Sequence, residues 1–300
     1  MDWLPNQPAA ASVSDDDGWR AIAVVSLLSG AVPRTVSRSR SAIDVPPVLV
    51  QFWDKGADVP HDVAECIASW EQLIYDVPGL TRVMFNDDTA REFIGDELTS
   101  EHVAAFDACR HPAMRCDYFR LCFLLQHGGF YVDADDVYLG GLGPDLLTGS
   151  DLKLQPLCYD VTTDEMVDAE VFLEAIRRGS GRAPRNNAAN ARDHRTRTHY
   201  INNNPLVAPA EHPVIRVALE RANRLLAWES TDVRRSLGVQ STTGPGNLTA
   251  ALVACALELG ATGDRADVSF LENWDEFSVS RWPLEYRHDQ RNWRLWNANQ

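Results

Sequence analysis

The sequence predicts an α/β fold in which a mostly parallel sheet is flanked by helices. Short apolar, β-rich runs at residues 48–53, 81–85 and 130–133 alternate with stretches of helical periodicity, which is the pattern of a parallel sheet. A composition of 45% hydrophobic and 24% charged residues over 300 positions is typical of a globular protein. Ligands of such sheets bind beyond the carboxyl ends of the strands, so residues that follow a strand are the first candidates for a site.

The first predicted elements follow the order β-α-β-α. Residues 48–53 come after two prolines and predict a buried strand. The next segment has apolar residues at i, i+4, i+7 and i+11, the face of one helix: Val63, Ile67, Trp70 and Ile74. Pro78-Gly79 ends that helix, residues 81–85 predict a second strand, and Asn86 is expected to cap the helix that follows.

The later elements centre on a helix-turn-strand unit. A helix over residues 103–109 leads to another over 114–126, and Gly128-Gly129 ends the second helix before the strand 130–133. Two further helices are predicted later in the chain, at residues 214–226 and 248–259. The two glycines would fold the strand back along the longer helix.

The chain divides into an N-terminal extension, residues 1–44, and a main domain, residues 45–300. Within the extension, residues 21–32 are apolar but are about half as long as the roughly 20 residues of a membrane span. They predict a short buried helix followed by a linker, without a transmembrane segment. Residues 177–199 are polar and rich in Arg and Asn, which predicts a mobile surface loop or a lid over the site.

Net charge limits the class of binding partner, and cysteine spacing indicates the cellular compartment. The 43 acidic and 28 basic residues leave a net charge of −15, which argues against a nucleic-acid or anionic-membrane partner. A phosphate-bearing ligand would need a local cation, and a divalent metal supplies one. The six cysteines lack C-x-x-C spacing and favour reduced core thiols in a cytoplasmic protein.

Two carboxylates, Asp133 and Asp135, stand one residue apart where the predicted strand 130–133 ends. Both can reach one hard cation. Asp135 would bind it directly, whereas Asp133 would bind it directly, through a water molecule, or through a hydroxyl of the ligand. Oxygen ligands of this kind suit manganese or magnesium. The D-x-D pattern alone is not specific, because Asp15 and Asp17 match it in the extension, and a solvated acidic turn is the alternative interpretation.

A second pair of charges precedes the turn. Asp117 and Arg120 lie three residues apart on one face of the predicted helix, where an ordinary intrahelical ion pair is the alternative interpretation. The turn at Gly128-Gly129 could bring this pair beside Asp133 and Asp135. The combined pattern is D-x-x-R followed by G-G-F-Y-V-D-A-D, and it is far more specific than either half.

On these residues the chain resembles the DXD-type glycosyltransferases, whose core reads roughly S-D-x-x-R followed by G-G-x-Y-x-D-x-D. The group spans capsular-polysaccharide-synthesis enzymes, yeast mannosyltransferases and clostridial glucosylating toxins. The spacing matches from Asp117 to Asp135, with Cys116 in place of the usual Ser. Residues 46–56 read P-P-V-L-V-Q-F-W-D-K-G, and together with C-I-A-S-W at 66–70 they are most similar to the capsular branch.

The resemblance implies a GT-A-like, Rossmann-type domain that binds a nucleoside-diphosphate sugar through Mn²⁺ or Mg²⁺ and retains the anomeric configuration. By the same resemblance, Asp117, Arg120 and Asp133 are the catalytic residues, the first two holding hydroxyls of the transferred sugar. Asp133, Asp135 and His288 would contact the metal. The implied donor-binding residues are Trp53, Tyr131, Asn203 and Trp293.

The chemistry agrees with these residue types and leaves alternatives open. Breaking a glycosyl-phosphate bond leaves charge on the diphosphate, which a divalent cation can stabilise without a protein proton donor. No carboxylate stands out as a nucleophile, which favours a front-face displacement. A nucleotide-sugar hydrolase and a non-catalytic sugar-nucleotide or calcium-binding module are the alternatives, although an EF-hand loop from Asp133 would place Pro144 where a bidentate Glu is needed. The acceptor, whether saccharide, protein or natural product, is not specified.

Overall fold

The computed structural model describes residues 45–160, 162–163, 165–167, 197–227, 238–262, 267–271, 273–281 and 283–298. The predicted extension over residues 1–44 lies outside these residues, as does the predicted loop 177–199 except for its last three positions, which begin a strand. Among the described helices, none is long and apolar enough to cross a membrane.

The elements follow one another in a mixed α/β order. The strands are β1 (Val48–Phe52), β2 (Thr81–Phe85), β3 (Gly129–Tyr131), β4 (Asp136–Tyr138), β5 (Leu152–Asp160), β6 (Glu165–Val167), β7 (Arg197–Ala208), β8 (Val268–Phe270) and β9 (Ser278–Ser280). The helices are α1 (His61–Ser69), α2 (Glu71–Asp76), α3 (Asp87–Glu97), α4 (Ser100–Ala108), α5 (Pro112–His127), α6 (Pro213–Leu226), α7 (Val239–Thr242), α8 (Pro245–Thr262), α9 (Trp274–Phe277) and α10 (Trp293–Ala298). Two 3₁₀ turns lie at Pro144–Leu147 and Glu285–His288.

Seven of the described strands form one sheet in the order β2-β1-β3-β7-β5-β6, with β8 paired to β5. Strand β1 runs parallel to β2 and β3, and β8 runs parallel to β5, whereas β7 is antiparallel to both β3 and β5. Strands β4 and β9 form a separate antiparallel pair. The predicted α/β fold, a mixed sheet flanked by helices, is confirmed.

The predicted helix-turn-strand unit is confirmed with slightly different bounds. Helix α5 begins at Pro112 and ends at Gly128, whose φ of 68° suits glycine. A Cβ on Gly128 would lie 2.6 Å from the Ala210 nitrogen, and one on Gly129 would lie 2.9 Å from the Val48 carbonyl oxygen. The close approach of these backbones therefore requires both glycines, and it fixes the angle at which β3 leaves α5.

The single helix predicted over residues 63–74 is wrong. The chain forms two helices, α1 and α2, which meet at Trp70. The Trp70 indole is fully buried and donates to the Asp136 carbonyl oxygen at 2.9 Å. Because this anchor interrupts the helical register, α2 turns Ile74 outward, where it is 39% exposed. The predicted Asn86 cap is confirmed, and its side chain accepts from the Thr89 amide at 2.9 Å.

Helix α5 is buried along most of its length and lies in the main hydrophobic cluster. Phe119 and Phe123 pack against Phe85 and Phe93 with ring centroids 4.6–5.9 Å apart. Truncating a buried aromatic residue of this kind to Ala costs about 3–5 kcal/mol of stability. The charges on α5 are held in a rigid apolar setting, so they must be paired within the protein.

Candidate active site

Arg120 is the centre of a buried polar cluster between α5 and the residues after β3. Its Nη2 lies 2.8 Å from Asp133 Oδ1 and 3.0 Å from Asp117 Oδ1, and its Nη1 donates to the Asn203 carbonyl oxygen at 2.6 Å. The guanidinium carbon lies 4.3 Å from the centre of the Tyr131 ring. Two carboxylates, a carbonyl and an aromatic face thus hold one guanidinium in a single orientation.

Asp117 is held from two further directions. Its Oδ1 accepts from Asn203 Nδ2 at 2.8 Å, and its Oδ2 accepts from Thr243 Oγ1 at 3.4 Å. Burial raises the pKa of Asp117 to about 6, against the opposing effect of Arg120. Burial likewise raises the pKa of Asp133, again against Arg120.

Tyr131 supports the cluster from behind. Its side chain is fully buried, and its hydroxyl donates to Asp133 Oδ1 at 3.2 Å. The hydroxyl oxygen of Tyr131 also lies 2.9 Å from Cys116 Sγ. Burial raises the pKa of Cys116 to about 12, so this thiol stays protonated near neutral pH. All six cysteines are present as thiols and not as disulfides, which agrees with the prediction of reduced cysteines.

A run of three asparagines on β7 links separate parts of the site. Between the pairs Leu154–Leu206 and Pro156–Ile201, one residue of β5 faces four residues of β7. In this irregular stretch, Asn203 bonds Asp117, while Asn204 accepts from the Asp133 amide and donates to Asp136 Oδ2, both at 2.9 Å. The interrupted ladder therefore directs neighbouring amides to different carboxylates.

Asp135 is engaged by the C-terminal 3₁₀ turn. Its Oδ2 accepts from the Tyr286 hydroxyl at 2.6 Å and from Arg287 Nη2. Tyr286 packs edge-on against Trp53 at 5.2 Å. His288 ends the same turn, but its side chain is exposed and lies outside the cavity lining, so its metal contact stays a prediction.

A cavity of about 700 Å³ opens above these residues. It lies beyond the carboxyl ends of β1 and β3, as expected for a sheet of this kind. The predicted residues that line it are Trp53, Asp117, Arg120, Asp133, Asp135, Asn203 and Trp293. Tyr131 is not part of the lining, because it lies beneath Arg120.

The cavity is acidic around the D-x-D segment. Asp117, Asp133, Asp135 and Asp136 line it, and burial followed by the charge of Asp135 raises the pKa of Asp136 well above its usual range. The whole lining contains six aspartates and four arginines, which leaves two carboxylates in excess when all of them are ionised. An added divalent cation would balance that excess.

The oxygens around Asp135 fit a cation that takes few protein ligands. In the part of the chain that the structure describes, no three His, Cys, Asp or Glu side chains are arranged to hold a metal. Asp133 and Asp135, however, present two carboxylates to the cavity from one short segment. Manganese and magnesium commonly use one or two carboxylates and complete their shell with substrate phosphates and water, so the donor set fits them.

Several residues of the site were not predicted from the sequence. Tyr286 and Arg287 reach Asp135 from 151 and 152 positions away, and no spacing pattern relates them to it. Asn204 was not among the predicted site residues either. The run N-N-N-P was a usable signal, because consecutive amides before a proline suit an interrupted strand.

The fold and the site together are those of an α/β protein with a D-x-D segment at the edge of a cavity. Residues 60–152 match a family model described as "Glycosyltransferase sugar-binding region containing DXD motif". The resemblance to DXD-type glycosyltransferases is thereby confirmed. The matched region includes Asp117, Arg120, Asp133 and Asp135.

Two individual proteins are similar to the chain. An uncharacterized glycosyltransferase of Acanthamoeba polyphaga mimivirus is 26% identical over 106 residues, which cover 35% of this chain and 41% of that protein. The chain thus spans about two fifths of the length of that curated relative. A solved structure titled PaToxG glycosyltransferase is 13% identical, with 95% of this chain and 96% of the other covered at a TM-score of 0.43.

Proposed function

We propose that this protein is a metal-dependent, retaining glycosyltransferase that moves a hexose from a nucleoside-diphosphate sugar to an acceptor. One observation supports this most strongly. Arg120 is fixed by Asp117, Asp133 and the Asn203 carbonyl at the base of a cavity that also exposes Asp135. The four side chains Asp117, Arg120, Asp133 and Asp135 are called the donor wall below.

The donor sugar would bind against Asp117 and Arg120. A carboxylate accepts two hydroxyl hydrogen bonds and a guanidinium donates to hydroxyl oxygens, so the pair recognises a polyhydroxylated ring. Asn203 and Thr243 hold Asp117, and Tyr131 holds Arg120 from below. The sugar therefore meets side chains whose positions are set before binding, which lowers the entropy lost on binding.

The nucleotide would bind toward Trp53 and the C-terminal segment. Trp53 lines the cavity with a side chain suited to stacking on a base, and Trp293 lies in the same lining. Burial is the main cause that lowers the pKa of Arg294, and the positive charge of Arg287 is the second. The two guanidinium groups therefore lie within electrostatic range of each other. A diphosphate between them would relieve that repulsion.

Asp133 and Asp135 would hold the divalent cation, with His288 as the remaining predicted contact. When bound, the cation supplies charge stabilisation for the leaving diphosphate. The arginines on the C-terminal segment add positive charge on the same side of the cavity. The metal and these side chains would share one task, which is to make the diphosphate a better leaving group.

The transfer is balanced without a protein nucleophile. The bond from the anomeric carbon to the phosphate oxygen breaks, and its electron pair stays on the diphosphate. The acceptor oxygen then bonds to the anomeric carbon from the same face, and its proton passes to the departing phosphate oxygen. Asp117 and Asp133 lie where positive charge on the sugar ring would be stabilised.

Metal-linked nucleotide binding is the first test. Thermal unfolding is measured with UDP, GDP, ADP and dTDP, each with and without Mn²⁺. We expect one nucleotide to raise the unfolding temperature only when Mn²⁺ is present, and we expect Asp135→Ala to abolish that shift. Asp135→Asn keeps an acceptor for Tyr286 and Arg287 and serves as the folded variant. Asp107→Ala is the matched control, because Asp107 is an ion-paired carboxylate on the surface.

Product analysis is the second test. The nucleotide sugars of the best nucleotide are incubated with the protein and candidate acceptors. A glycoside of retained anomeric configuration supports the proposal. Fast release of free sugar with every acceptor would identify a hydrolase instead, and binding without turnover would identify a sugar-nucleotide-binding module. An unchanged Mn²⁺-dependent shift in Asp135→Ala would contradict the metal assignment.

A further inference from the structure

The cavity has a second polar wall that has no role in donor binding. It consists of Gln155 on β5, Asn202 on β7, Asp275 in α9 and Ser278 at the start of β9, called the amide wall below. All four residues line the same cavity as the donor wall. A ligand bound to this wall would therefore lie beside the donor sugar.

The amide wall is joined by side-chain hydrogen bonds. Asn202 Nδ2 donates to Gln155 Oε1 at 2.9 Å, and Gln155 Nε2 donates to Asp275 Oδ1 at 3.1 Å. Each side-chain amide carries two N–H donors and a carbonyl acceptor, so these two hydrogen bonds use only part of the hydrogen-bonding capacity of Gln155 and Asn202. The amide wall therefore offers both donors and acceptors, which is what a hydroxyl group requires.

Two buried oxygens in the same cavity lining have no hydrogen-bond partner among the residues that the structure describes. Ser278 Oγ belongs to a residue that is 1% exposed, and Asp136 Oδ1 to one that is 3% exposed. Both residues line the cavity. Asp136 pairs with Ser280 and Tyr138 with Ser278, so Asp136 and Ser278 lie on one face of the β4–β9 ribbon. Unsatisfied buried polar atoms are rare in native proteins and indicate a missing partner.

The groups of the amide wall favour a neutral ligand over an anionic one. The amide wall and Asp136 contribute carboxylates, and no Lys or Arg belongs to this set. Of the arginines from the C-terminal segment, Arg287 contacts Asp135 and Arg291 lies over Trp53, whereas Arg294 lies within electrostatic range of both Asp135 and Tyr200. The chain as a whole carries a net charge of −15, which repels anions further.

An apolar surface adjoins the polar groups. Leu157, Met166 and Tyr200, on β5, β6 and β7, also line the cavity. A sugar ring combines hydroxyl edges with apolar C–H faces, so this mixture suits it. A serine, threonine or tyrosine side chain of a protein brings a single hydroxyl, whereas one sugar ring brings several.

We propose that the amide wall, together with Asp136, binds a neutral saccharide that serves as the acceptor. The inference rests on the proposed glycosyltransferase function and names its second substrate class. Gln155 and Asn202 would donate to ring hydroxyl oxygens, and Asp275 would accept from hydroxyl hydrogens. The Asp136 carboxyl and the Ser278 hydroxyl can donate or accept. The acceptor hydroxyl that reacts is the one that points toward the donor wall.

Transfer and direct binding are both measured. The probes are methyl glycosides of glucose, galactose, mannose and N-acetylglucosamine, with the methyl glycoside of glucuronic acid and a Ser/Thr hexapeptide for comparison. Saturation-transfer NMR detects binding of each probe without donor, and mass spectrometry detects transfer with donor. We expect at least one neutral glycoside to bind and to be glycosylated in preference to the glucuronide and the peptide.

Gln155→Leu tests the assignment of the amide wall. We expect the acceptor KM to rise about tenfold relative to the donor KM, the loss of one good hydrogen bond. Gln72→Leu, on the exposed face of α2, is the matched control and should leave that ratio unchanged. Preference for the glucuronide or the peptide, or an unchanged ratio in Gln155→Leu, would overturn the inference.

The two proposals fail separately. If no nucleotide binds with Mn²⁺ but a neutral glycoside still binds, and binds more weakly in Gln155→Leu, then the saccharide site stands and the transferase does not. If the nucleotide binds and its sugar is released while no neutral glycoside binds, then the donor assignment stands and the saccharide inference is wrong.

Discussion

The donor wall and the amide wall line one cavity but are held together in different ways. In the donor wall, Arg120 is almost fully buried between Asp117 and Asp133, and ion pairs fix every member. In the amide wall, neutral amides form a short chain, and the buried Ser278 hydroxyl has no partner. The donor wall should therefore contribute strongly to stability, whereas the amide wall should contribute to binding.

The largest effect is expected for Arg120→Ala. This change leaves Asp117 and Asp133 buried without their counter-charge, which costs about 3–5 kcal/mol of unfolding free energy. Gln155→Leu on the amide wall should cost less than about 1 kcal/mol. Urea unfolding followed by circular dichroism measures both. Arg91→Ala, which breaks an exposed ion pair with Asp107, is the control and should change little. Equal losses in all three variants would break the comparison.

The pH dependence of stability should reveal Asp117. Its pKa is about 6 in the folded protein and 3.8 when unperturbed, so between these values the folded state binds more protons. The favourable contribution of the protonated carboxyl is therefore complete below pH 3.8 and is lost as pH rises through 6. Relative to Asp117→Asn, the wild type should lose on the order of 2–3 kcal/mol over this window. Parallel stability curves for the two proteins would show that Asp117 does not titrate there.

A smaller effect is expected for Arg287→Gln. Arg287 donates a hydrogen bond to Asp135 Oδ2 and therefore competes with a metal for this oxygen. Its removal should raise the affinity for Mn²⁺ alone by about three- to tenfold, or roughly 0.7–1.4 kcal/mol. Isothermal titration with MnCl₂ measures it. Arg291→Gln breaks an ion pair with Asp289 and is the matched control. Weaker Mn²⁺ binding in Arg287→Gln would mean that Arg287 supports the metal site instead of competing with it.

The smallest effect is expected for Ser278→Ala. Because Ser278 Oγ is buried without a partner, its removal should leave stability within about 0.5 kcal/mol or raise it slightly. Thr249→Val is the contrasting change, since Thr249 Oγ1 accepts from the Ile201 amide at 2.9 Å. That variant should lose about 1–3 kcal/mol. A loss in Ser278→Ala as large as in Thr249→Val would mean that the hydroxyl is already satisfied within the protein.

Much of the N-terminal half of the described fold was predictable from the sequence. Strands β1 and β2 and helices α3 and α5 followed from periodicity, caps and glycines, because these signals act between residues a few positions apart. The break at Trp70 was not predictable, since it depends on a hydrogen bond to Asp136, 66 positions away. The same limit applies to the pairing of β7 with β3 and β5.

The sequence by itself determined the donor wall. Asp117, Arg120, Asp133 and Asp135 lie within 19 consecutive residues, and one helix, one glycine turn and one short strand bring them together. The spacing of these four residues along the chain is therefore a recognisable sequence motif, and the family match covers it.

Only the tertiary structure decided the amide wall and the C-terminal turn on Asp135. Gln155, Asn202, Asp275 and Ser278 come from four separate elements, and the direction of Asn202 depends on an irregular register between β5 and β7. Such register is set by packing between distant segments, whose side chains carry no fixed spacing along the chain. For this reason the four residues of the donor wall could be selected from the sequence, whereas the amide wall could be identified only in the folded protein.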